Sequence, residues 1–138
     1  MLNTYVVEGG VGKCTAFSAL VPKLKEKSEV QIYTPYIGCF ASNPDVKLVL
    51  EQTLPLADPR IQASDNIYYS EPYKSNFQFG KQHIIESYCE LHGVKYDKSM
   101  LPKLYTEHHN KSVKEWLTKN EIGKYLLIQF SGGQPQMG

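Results

Sequence analysis

The chain has 138 residues, 41% of them hydrophobic, and a formal net charge of +1. That size and apolar content suit one domain with a real core, and so even a charge provides no field for nucleic acid or an anionic membrane. The three cysteines, Cys14, Cys39 and Cys89, are scattered without CxxC spacing, which argues against a disulfide framework or a zinc ribbon and fits a reducing, cytoplasmic setting.

The N-terminus lacks the basic region of a secretory signal, and no apolar run is long enough to span a bilayer. Leu2 to Val7 reads as a buried first strand. Three glycines within four residues follow it (Gly9, Gly10, Gly12), and then a helical pattern over Thr15 to Lys27. Pro22 is expected to kink that helix or to mark a first turn within it. Val30 to Tyr33 reads as a second strand, Tyr36 to Ser42 as an apolar turn or short helix, and Val46 to Leu50 as a third strand.

Glu51 to Asn66 has little periodicity and reads as loop, and Ile67 to Ser70 as a short strand. Lys81 to His92 is helical, with Ile84, Ile85, Tyr88 and Leu91 on one face and Gly93 as its stop. Leu104 and Tyr105 suggest a very short strand. Thr106 is a candidate cap for a helix through Lys119 with Val113, Trp116 and Leu117 inward. Lys124 to Phe130 reads as a last strand. Strands alternating with helices predict an α/β fold with a mainly parallel sheet covered on both faces.

Strand, glycine turn and helix in succession bring backbone N–H groups and a positive helix end up to an anionic ligand. The turn does not fit the triphosphate motif G-x-x-x-x-G-K-S/T, because Val7 replaces the first glycine and Cys14 the magnesium-binding hydroxyl. A thiol is a poor ligand for so hard a cation. The dinucleotide pattern G-x-G-x-x-G fails as well, since Thr15 stands where its last glycine belongs. Cys14 at a helix start has either a lowered pKa or, lacking a neighbouring histidine, a packing role.

Gly9-Gly10-Val11-Gly12-Lys13, the Ala16 to Leu24 helix, and Asn43-Pro44-Asp45-Val46 before a strand resemble the amino-terminal half of family 9 glycosyltransferases, the heptosyltransferase-like enzymes. His83 to Val94 is similar to the helix that precedes their interdomain segment, and Leu126 to Gln129 with Ser131-Gly132-Gly133 is similar to that segment itself. The resemblance implies a Rossmann-like three-layer sandwich over residues 1–130, one half of a GT-B architecture. A glycine-rich tail or interdomain segment would follow over 131–138, with Ser131, Gly132 and Gly133 as hinge.

It also implies transfer of a sugar from a nucleotide-sugar to a glycan or lipid-linked acceptor, with no cofactor, no metal and at most peripheral membrane contact. A second GT-B domain or partner chain would hold the donor. Gly9, Gly10, Val11, Gly12, Lys13, Tyr36, Tyr73 and His83 become the substrate-binding candidates. The family places an aspartate, the catalytic base, where this chain has Lys13. A lysine is protonated at neutral pH and suits holding a phosphate or carboxylate instead. The base then falls to Glu8 or Lys13 as candidates, or activity is absent.

Two alternatives stay open: a non-catalytic binding or structural protein that retains the fold, and a P-loop-like nucleotide-binding protein. Tyr68, Tyr69 and Phe77 add aromatic rings near strand ends, suited to sugar stacking or to ordinary packing. Lys81 stands beside His83 at a helix start, facing either cleft or solvent. Neighbours such as His108 and His109 diverge on a helix and make a metal site improbable. Lys23, Lys25 and Lys27 read as a solvated helix face.

Overall fold

The computed structural model describes residues 1–74 and 80–124. The chain divides into two compact units, Met1–Tyr105 and Thr106–Gly138. In the first, β1 (Leu2–Val6), β2 (Glu29–Thr34), β3 (Val46–Glu51) and β4 (Asn66–Tyr69) form a parallel sheet in the order β3-β2-β1-β4. Tyr5 stands opposite Ile32 on β2 and Tyr68 on β4. The chain is therefore an α/β protein.

Helices α1 (Val11–Ser18), α2 (Val21–Lys25) and α4 (Ile84–Leu91) contribute to the larger core. Tyr5, Val30 and Ile32 from the strands and Val7 just past β1 meet Phe17, Leu20, Leu24, Ile85 and Tyr88 there. Alternation along β1 and β2 turns Val6 and Tyr33 the other way, into a smaller cluster with Leu50 and Ile61. Ile61 belongs to α3 (Pro59–Gln62), where Asp58 Oδ1 accepts the Arg60 N–H at 2.9 Å. A short helix thus interrupts the stretch expected to be loop, and its Asp-Pro start is a recognisable cap signal.

The helix expected over Thr15 to Lys27 is two helices. The first begins at Val11 straight out of the glycine turn, and Pro22 sits in the opening turn of the second, where its missing N–H costs nothing. The region of Leu104 and Tyr105 carries no strand. Leu91 is exposed rather than packed. Gly93 ends α4 with φ +59°, a conformation that favours glycine.

In the second unit α5 spans Glu107–Lys119. Thr106 makes no side-chain cap bond to it. Val113 and Trp116, expected to face inward, are exposed. Among the described residues α5 is the unit's only regular element, so no neighbouring face is described there to cover its apolar stripe. The expected strand beyond Lys124, the hinge residues Ser131, Gly132 and Gly133, and Phe77 lie outside the described residues. Among the described residues no helix is long and apolar enough to cross a membrane.

Candidate ligand-binding site at the β1–β4 crevice

Connections from β1 lead towards β2 and β3, whereas β4 is added on the opposite side of β1. The sheet therefore has its topological switch point between β1 and β4, and a crevice outside the carboxyl ends of these strands is where open α/β sheets bind ligands. A crevice of about 260 Å³ lies there, lined by Val6, Glu8, Tyr69, Ser70 and Glu71. Ser70 is held to β1 through its N–H, which donates to the Val6 carbonyl at 2.9 Å.

The glycine turn shapes one wall. Gly9 has φ +93°, and a Cβ there would stand 2.6 Å from Lys13 Cδ. The Lys13 stem thus folds back over the turn, and only glycine leaves it room. Its Nζ ends 3.0 Å from both carboxylate oxygens of Glu71 and 3.8 Å from the centre of the Tyr73 ring. The Tyr73 N–H also donates to Glu71 Oε1 at 3.0 Å. Lys13, expected to meet a ligand anion, is neutralised by a carboxylate of its own chain.

Glu8 sits at the mouth of the crevice, exposed, with Oε1 accepting from Gln52 Nε2 at 2.6 Å. The Ser70 hydroxyl pairs with His92 Nε2 at 2.9 Å. His92 is boxed by the rings of Tyr5, Phe17 and Tyr68, with centroids at 5.2, 5.6 and 6.0 Å. Burial there disfavours the imidazolium and lowers its pKa to about 4. The imidazole is therefore neutral at physiological pH and orients the serine hydroxyl.

Comparison with protein-family models, with curated proteins and with solved structures finds no match for this chain. One exposed carboxylate and the largely exposed ring of Tyr69 suit a polyhydroxylated ligand, whose O–H groups donate to the carboxylate and whose C–H face lies on the ring.

Cys14, one residue beyond Lys13, is fully buried with Sγ 3.3 Å from Thr34 Oγ1. Burial pushes its thiol pKa up, in keeping with the packing role read from the sequence. It packs behind the turn. Among the described residues no group of three or more His, Cys, Asp and Glu side chains is arranged to hold a metal ion.

The residues singled out in the sequence divide between two places. Glu8, Gly9, Lys13 and Tyr73 gather at or beside the crevice, and Gly10 caps α1. Val11, Gly12 and His83 instead line a separate cavity between α1 and α4. Tyr36 is exposed beyond β2 and lines neither space. Ser70, Glu71, Gln52 and His92 escaped notice in the sequence. The available signal was a polar pair immediately after a short strand, but its weight depends on β4 lying next to β1.

Proposed function

We propose that this chain carries the acceptor-side domain of a glycosyltransferase resembling family 9, one Rossmann-like half of a GT-B architecture, acting in the cytoplasm. The observation that carries this reading is the Glu8 carboxylate, exposed at the carboxyl end of β1 beside Ser70 and Tyr69 at the switch point. An acceptor hydroxyl in the crevice donates to Glu8. As the acceptor oxygen attacks the anomeric carbon of a nucleotide-sugar, Glu8 takes the proton and the nucleoside diphosphate leaves with the electrons of the broken C–O bond. The donor is held by a second domain or partner chain, and no cofactor is required.

Lys13 has a positioning role in this scheme. Tied to Glu71, it braces the turn that follows β1 against the segment that follows β4. The same ion pair favours a second reading, a non-catalytic glycan-binding domain, because it stands where the resembled family has its aspartate.

Amide shifts of the isotope-labelled chain, titrated with a panel of mono- and oligosaccharides, test both readings. Shifts centred on Glu8, Gly9 and Tyr69–Glu71 are expected. Loss of sugar transfer in Glu8→Gln with glycan binding kept, measured with donor and donor-binding domain supplied, supports catalysis. Unchanged transfer in that variant removes Glu8 as the base. Magnesium-dependent binding of ATP or GTP that disappears in Lys13→Ala would overturn the proposal in favour of a nucleotide-binding protein.

A further inference from the structure

A second space lies apart from the crevice and shares no lining residue with it. It measures about 530 Å³, within the range of about 300 to 1,000 Å³ typical of small-molecule sites. The first two turns of α1, the start of α4 and the segment 96–102 border it as an open groove. Val11, Ile84, Met100 and Leu101 give it apolar walls, and Lys98 and His83 bring polar groups to it.

Gly12, exposed, borders this space. It lies in the first turn of α1 without a positive φ, and, its chain neighbours and its own helix backbone aside, no atom of the described residues comes within 4 Å of where its Cβ would stand. Neither backbone conformation nor close packing asks for glycine here. Glycine in a helix costs up to about 1 kcal/mol relative to alanine. What the missing side chain does leave is open space on the cavity wall.

The polar groups set the charge of an occupant. Lys98 has no ion pair among the described residues. His83 Nδ1 accepts the Ile85 N–H at 3.2 Å, so the ring proton sits on Nε2, a second donor. Among the described residues no acidic side chain lines the cavity.

We infer that this cavity is a binding site for a small organic anion with an apolar body, an aryl or short acyl group bearing one acidic head. The body lies against Val11, Ile84, Met100 and Leu101, with the head at Lys98 and His83. The inference is independent of the glycosyltransferase reading, since it uses neither Glu8 nor the crevice.

The test uses the full chain and two fluorescent probes of similar shape, the anion anilinonaphthalene sulfonate and neutral phenylnaphthylamine. Saturable binding of the anion by the folded protein is expected, with the neutral probe weaker. Lys98→Ala should weaken the anion by about two- to fivefold, the range of an exposed charge contact, and leave the neutral probe unchanged. Gly12→Leu should fill the cavity and abolish both without lowering the thermal midpoint. Leu101→Ser, at an exposed position, should weaken both without a folding cost. Binding that survives Gly12→Leu overturns the proposal. So does equal binding of the two probes, or a lowered midpoint in Gly12→Leu, which would mean that protein already fills the space.

Discussion

Lys13 Nζ lies 3.0 Å from each carboxylate oxygen of Glu71, 58 residues further along the chain. The lysine side chain is only 13% exposed and that of the glutamate 34%, so the pair is screened less than a surface ion pair. Lys13→Met leaves Glu71 without its cation and should destabilise the fold by about 1 to 2 kcal/mol. Adding Glu71→Gln should recover part of that loss. A double-variant cycle in urea unfolding should give a coupling of about 1 kcal/mol. A coupling near zero would mean that the pair does not brace the site.

Gly9→Ala should act on the same pair. Its φ of +93° strains any residue with a Cβ, and the added carbon meets Lys13 Cδ at 2.6 Å. The expected cost is about 1 to 3 kcal/mol. Because a flexible side chain takes the clash, part of the cost is displacement of Lys13 from Glu71. Gly9→Ala should therefore cost less in a Lys13→Ala background, and equal costs in the two backgrounds would refute the close approach.

Burial of His92 ties stability to pH. Its pKa is about 4 in the fold and about 6.5 in the unfolded chain. Between those values the unfolded state binds more protons. The contribution is therefore complete above about pH 6.5 and is lost progressively towards about pH 4, by up to about 3 kcal/mol. Urea unfolding across this window should show a shallower fall for His92→Phe than for the parent chain. At neutral pH that variant should cost about 1 kcal/mol for the Ser70 hydroxyl left without its partner. Parallel pH profiles would show that burial does not lower the His92 pKa in the fold.

The three cysteines should be slow to react. All are buried, and burial raises each thiol pKa, that of Cys89 to about 11. Thiolate is the reactive form, so an aromatic disulfide reagent at mildly alkaline pH should modify almost none in the folded chain and all three after denaturation. Rapid modification of Cys14 in the native protein would contradict its packing against Thr34.

Local physics made much of the framework readable from sequence. Apolar runs bounded by glycine and proline located β1, β2 and β3 and the turn between β1 and α1, because strand propensity and turn chemistry act over a few residues. The same local signal overstated the first helix and missed α3, where one residue, Ile61, carries the burial. Sequence alone also singled out Glu8, Gly9 and Lys13. What Lys13 meets was decided by tertiary structure. Placing β4 beside β1 brings Glu71 and Ser70 to the glycine turn, and packing of α4 on the core brings His92 beneath Ser70 and separates Gly12 and His83 into another cavity. Strand order reflects which faces bury best against each other across some 60 residues of chain, a property that no local pattern contains.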